Sequence, residues 1–215
     1  MTAPSTIQRH RVRIRFRKAG DLRLISHRDL VRAMERLFRR AGLKLGMSQG
    51  FHPKPRMVFP AALALGVVGA NEVLDFELAE PLGAAEIETR LTAHAPAGLD
   101  ILSVECVPAD AKKTRVRAMS FEIAVPAERR AAVAARLADF LSQSTYIAAR
   151  EDGSHPVDVR PSVEELSLTE DRLRMRLLVN DQGGARPRAL LAALGIDDLP
   201  QVGIYLTRTQ VEFAS

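Results

Sequence analysis

Ser26, His27 and His52 are the side chains whose types could move a proton or hold an anion. Ser26-His27-Arg28-Asp29 carries the Ser-x-x-acid pattern of a capping box, which puts His27 at a helix start. There the helix dipole disfavours a charged imidazole. If Ser26, His27 and His52 converge, they form either an acid–base pair for RNA cleavage or a small anion site at the helix N-terminus. The plainer arrangement has Ser26 capping the helix, His27 bonding a backbone carbonyl and His52 packing on a strand. No metal site is indicated, since no His-x3-His or His-Glu-x-x-His spacing occurs. Gly-x-Ser-x-Gly and Cys–His nucleophile arrangements are missing too. Gly183-Gly184 reads as a turn, because no Gly-Lys-Ser/Thr follows it.

The louder signal is cationic. Arg11, Arg13, Arg15 and Arg17 alternate with Val12, Ile14 and Phe16, so a strand here turns the arginines to one side. Arg28, Arg32, Arg36, Arg39 and Arg40 share about a third of a helix circumference, opposite Leu30, Met34, Leu37 and Phe38. Lys54 and Arg56 extend the charge across a loop. Residues 1–60 hold fifteen Lys or Arg and three acidic residues, while the whole chain carries +5. Such asymmetry points to an anionic partner, and arginine favours bidentate contact with phosphate. The expected surface is one continuous plane made by the strand and its helix. Two blander readings compete: a solvated helix face, and strand arginines paired with Asp75 and Glu77 of a neighbouring strand.

The elements that must position these residues follow from periodicity. A strand over 9–18 is followed by a turn at Ala19-Gly20-Asp21, with Leu22–Ile25 extending the sheet, then a helix from Ser26 to Gly42. Leu43–Ser48 reads as a strand, Gln49–Arg56 as a loop stiffened by Pro53 and Pro55, and Met57–Val68 as a buried strand with a bend. Strand 72–78, helix 84–94 and strand 99–107 complete the first half. After Pro108–Thr114 the pattern recurs: strand, helix 127–142, a short strand at 146–149, a hairpin around Thr169–Arg172, a helix over 188–194 and a final strand. The fold class is α+β, with two ferredoxin-like (βαββαβ-type) subdomains in tandem, 1–110 and 111–215, the first carrying an inserted strand or hairpin. No apolar run reaches the roughly 18–20 residues of a membrane span, and Met1–Arg9 has no apolar signal region. Cytoplasm is the expected location. Cys106 is the single cysteine, which leaves no internal disulfide and no thiolate set for zinc or iron–sulfur.

With the residues placed, the chain resembles the radical SAM-linked family, uncharacterised bacterial proteins fused to or encoded beside radical SAM proteins. The matching segments are Phe16-Arg17-Lys18-x-Gly20, Arg23-Leu24-x-Ser26-His27-x-Asp29-Leu30, Arg39-Arg40-Ala41-Gly42, Ser48-x-Gly50-Phe51-His52-Pro53-x-Pro55 and Asp158-Val159-Arg160-Pro161. The resemblance implies a radical SAM partner that carries the iron–sulfur cluster and S-adenosylmethionine. A looser architectural similarity is to the CRISPR repeat-processing endoribonucleases, also paired ferredoxin-like domains. Three functions remain open at this point. The first, and the expected one, is a non-catalytic RNA-binding subunit that positions tRNA- or rRNA-class RNA for the partner. The second is a metal-independent endoribonuclease using His27 and His52. The third is a protein-interaction module that docks the radical SAM enzyme.

Overall fold

The computed structural model describes residues 10–108, 111, 114–148, 156–179 and 186–214. The chain divides into two compact units: Met1–Leu65 with Gly69–Thr114, and Gly66–Val68 with Arg115–Ser215. Both are α+β and their sheets are antiparallel.

The first unit runs β1 (His10–Lys18), α1 (His27–Arg40), β2 (Met57–Val58), β3 (Val68–Leu78), α2 (Ala84–His94) and β4 (Leu99–Val107). β1 lies centrally between β4 and β3, and β2 pairs on β3. Alternation along β1 buries Val12, Ile14 and Phe16 against Leu30, Met34, Leu37 and Phe38 of α1 and Ile87 and Leu91 of α2. Ser26 caps α1 as the capping box predicts, and Gly42 follows its C-cap Ala41 at φ 66°, a left-handed position suited to glycine.

Local chemistry overrides the sequence reading in three places. Leu22–Ile25 does not extend the sheet: Gly20, at φ 56°, turns the chain into a 3-10 helix over Gly20–Leu24. Leu43–Ser48 contributes only isolated bridges, Leu45 with Leu78 and Met47 with Pro55. Of Met57–Val68, only Met57–Val58 pairs before β3 begins at Val68, since Pro60 has no N–H to give a ladder and Gly66 turns at φ 80°.

The second unit contains β5 (Val116–Ala124), α3 (Ala127–Ser142), β6 (Ile147–Ala148), β7 (Val157–Asp158), β8 (Val163–Thr169), β9 (Arg172–Leu178), α4 (Pro187–Ala193) and β10 (Thr207–Phe213). Its main sheet is ordered β10-β5-β9-β8, and β6 and β7 form a separate pair. Numbering the main strands within each unit gives fourth, first, third, second in both. The repeat expected from topology is therefore present at the level of strand order. The Gly183-Gly184 turn lies outside the described residues.

Two ion pairs brace the second unit. Arg176 grips Glu212 through hydrogen bonds of 2.9 and 2.6 Å, and Arg129 grips Asp198 at 2.5 and 2.7 Å. These bonds hold both carboxyls below the usual range. A carboxyl whose folded pKa is depressed contributes stability that is complete above its unfolded pKa of about 4 and is lost as pH falls through the folded value. Denaturant unfolding should show stability falling from about pH 5 towards about pH 2, with Glu212→Gln flattening part of that fall. If Glu212→Gln leaves the pH profile unchanged, the loss arises elsewhere.

Candidate nucleic-acid interface

The strand arginines are claimed by the protein itself. Register sets Arg13 opposite Asp75 on β3 and Arg17 opposite Asp100 on β4. Arg13 makes a bidentate pair with Asp75 at 2.7 and 2.8 Å and also bonds the Thr114 hydroxyl. Arg17 reaches Asp100 at 3.2 Å, Arg15 donates to Asn71 at 3.2 Å, and Arg11 donates to the Ala111 carbonyl at 2.7 Å. Lys18 belongs to the inward set of β1, fully buried, with its ammonium donating to the Ile25 carbonyl at 3.2 Å. Counting cations along the sequence therefore overstates the charge available at the surface.

The helix arginines stand apart from them. Arg28, Arg32, Arg36, Arg39 and Arg40 are exposed, on the side of α1 away from its buried residues. The strand arginines lie on the sheet face away from α1, because Val12, Ile14 and Phe16 face the helix. The single plane expected from sequence is corrected here to two faces, with the core of the unit between them. On the helix face, Arg32 meets Asp29 at 3.5 Å and Arg40 donates to the His94 carbonyl at 3.1 Å. Arg28 makes no side-chain hydrogen bond among the described residues, although its charge acts on Asp29. Arg36 and Arg39 have no ion pair or hydrogen bond from their side chains among the described residues.

Ser26 is committed to the helix end. Its Oγ accepts from the Asp29 N–H at 3.2 Å and donates to Asp29 Oδ2 at 2.7 Å. That bond, with Arg32 and Arg28 nearby, holds the Asp29 carboxyl below its usual range. A bound anion would have to compete with this resident carboxylate. His27 is exposed and packs edge-on to Phe59, ring centroids 5.1 Å apart. His52 is exposed on the loop after β1 and α1, and no hydrogen bond or ring contact joins it to His27 among the described residues. Among the described residues no hydrogen bond joins Ser26, His27 and His52 to one another.

The loop is closed by its own hydrogen bonds. The Ser48 N–H donates to the Lys54 carbonyl at 2.8 Å, and the Lys54 N–H returns to Ser48 Oγ at 2.9 Å. The Arg56 N–H donates to the Gly46 carbonyl at 2.8 Å, and its Nε to the Met47 carbonyl at 3.1 Å. Arg56 also lies 3.7 Å from Glu77, so Lys54 is the freer cation of the loop. At the tip stands Phe51, fully exposed. Sequence reasoning passed over it as a site residue. The signal was an aromatic set between Gly50 and two prolines, in a stretch with no apolar periodicity.

A cleft of about 620 Å³ opens beside β2, lined by Arg11, Arg56, Met57, Val58, Asp75 and Thr114 among others. Its charged groups are the ones already paired above, and within it the Thr114 hydroxyl donates to Asp75 Oδ2 at 3.2 Å. Among the described residues, no group of three His, Cys, Asp or Glu stands together for a metal. No helix among them is long and apolar enough to cross a membrane.

A search of curated proteins finds no match. Among solved structures, an unknown protein from Galdieria sulphuraria aligns over 97% of this chain and 100% of its own, at 13% identity and TM-score 0.29. The small subunit of acetolactate synthase from Thermotoga maritima covers 97% of each chain, at 12% identity and TM-score 0.28. Neither likeness carries an argument about this chain. The decisive comparison is at family level, and it spans the arginine strand, α1, the proline loop and most of the second unit. A model described as an uncharacterised protein conserved in bacteria (DUF2344) matches residues 11–187, and the chain belongs to that family.

Proposed function

We propose that this protein is a non-catalytic, RNA-binding accessory subunit that positions structured RNA of the tRNA or rRNA class for a radical SAM partner. Each unit is read as a ferredoxin-like module, of which the first holds the RNA. The observation that carries the reading is the contrast between two arginine sets. Those on β1 are satisfied by Asp75, Asn71, Asp100 and the Ala111 carbonyl, whereas Arg36 and Arg39 are exposed with no side-chain partner among the described residues. Like charges held together on one helix face repel, so their tolerance favours an anionic partner that relieves the repulsion. Guanidinium suits phosphate because two parallel N–H groups can meet two oxygens. The chain's own contribution would be grip and orientation, the role phosphate contacts generally play. With Cys106 as its single thiol, the chain does not fit an iron–sulfur cluster, and the redox chemistry is assigned to the partner.

The test is salt dependence. Nuclease-treated protein titrated with single-stranded RNA should bind with a log–log slope near −0.7 per phosphate contacted, or about −2 to −3.5 for three to five contacts. Absence of RNA binding at low salt, or a flat dependence, removes the proposal.

A further inference from the structure

Phe51 is the most exposed large apolar side chain among the described residues, at 103% of its reference area. Water is an unfavourable place for such a ring, and nothing in the fold is gained by leaving it there. Yet the loop is built to hold it out. Ser48 and Lys54 clamp the base through two hydrogen bonds, Met47 bridges to Pro55, and Pro53 and Pro55 restrict the backbone. Gly50 turns at φ 136°, a conformation that side-chain-bearing residues rarely adopt. Just beyond β2, Phe59 is edge-on to both Phe16 of the core and His27 of α1, which anchors the segment following the loop. A pre-ordered aromatic loses little freedom on binding, so its contact converts efficiently into affinity.

The surroundings select the ligand. A hydrophobic anchor for a protein pocket usually sits within a wider apolar patch. Phe51 is instead flanked by Gln49, Gly50, His52, Pro53 and Lys54, all exposed. A ring with a histidine beside it and a lysine three residues on matches single-stranded nucleic acid, where a base stacks on the aromatic face and a nearby cation meets the phosphate. We propose that Phe51 is a stacking platform for an unpaired RNA base, with Lys54 contacting the adjoining phosphate. This deepens the RNA-binding reading and rests on it.

The chain has no tryptophan, so Phe51→Trp creates a single indole whose emission reports on the loop tip alone. Two probes separate base from backbone: a single-stranded oligoribonucleotide and a ribose–phosphate chain of equal length lacking bases. Because Phe51 is fully exposed, Phe51→Ala should keep the wild-type circular dichroism. It should weaken oligoribonucleotide binding about 10- to 100-fold, the usual span for one stacked base. The slope of its salt dependence should stay the same, since no phosphate contact is lost. The Phe51→Trp indole should be quenched by the oligoribonucleotide and not by the abasic chain. Unchanged affinity in Phe51→Ala, or equal quenching by both probes, overturns the platform while leaving the RNA-binding reading in place. Failure of the wild-type protein to bind either probe overturns both. An indole that responds to a radical SAM protein in the absence of RNA makes the tip a protein anchor, and the proposal falls.

Discussion

Replacing Arg36 and Arg39 together by glutamate should abolish the proposed RNA binding while leaving the first unit folded. Both guanidinium groups are exposed and make no side-chain hydrogen bond or ion pair among the described residues. Glutamate has nearly the helix propensity of arginine, so the backbone has little to lose. At position 36 it gains favourable neighbours in Arg32 and Arg40, one turn away on either side. At position 39 it sits near the helix C-terminus and one turn from Glu35, each unfavourable by a few tenths of a kcal/mol to about 1 kcal/mol. These effects largely offset one another. For a phosphate ligand there is no such cancellation: two attractions become two repulsions, and like-charge contacts across an interface cost several kcal/mol, or more than about 100-fold in affinity. Fluorescence anisotropy of labelled RNA gives the affinity, and urea unfolding gives the stability. Conservative Arg36→Lys and Arg39→Lys changes should retain most of the salt slope while losing bidentate geometry. Wild-type affinity in the double glutamate variant would disqualify α1 as the contact surface.

Arg13→Met should do the opposite, weakening the fold by about 1–3 kcal/mol and changing RNA affinity by less than about twofold. Arg13 and Asp75 are directly opposed in register, and their side chains are 17% and 18% exposed, well below the exposure at which ion pairs count for little. Methionine keeps much of the aliphatic stem that packs on the sheet, so the change acts mainly on charge. It leaves the Asp75 carboxylate half-buried without its two guanidinium bonds, and the cost is that of an uncompensated charge. Adding Asp75→Asn should recover part of the loss, since the remaining group is then neutral. A double-mutant cycle by urea denaturation measures the coupling. If Arg13→Met removed RNA binding without affecting stability, the sheet face would be the interface and the assignment to α1 would be wrong.

The two variants together would separate charge proposed to recognise RNA from charge that holds the fold. The same residue type appears nine times in the two stretches Arg11–Arg17 and Arg28–Arg40, so composition cannot make that separation. Partnership does. It also narrows the histidine chemistry, because Asp29 occupies the helix end where an anion would sit and Phe59 takes one face of the His27 environment.

What the sequence determined by itself is what depends on neighbours a few residues apart. The two-residue alternation of β1 and the helical spacing of α1 follow from backbone geometry, as does the Ser26 cap, whose partner is three residues away. Those elements fall where periodicity places them, as do α2, β4 and α3. The tertiary structure decided everything that depends on distant residues. Arg13 finds Asp75 across 62 positions, and Arg17 finds Asp100 across 83. Strand register, a non-local property, thereby gives the β1 arginines partners within the protein. It also puts the core between the strand and helix sets, since each element can bury only one side and must turn its charged side outward. The exposure of Phe51 belongs to this second class. Nothing local distinguishes an aromatic ring held in solvent from one folded back onto the core, and only the closed loop shows which it is.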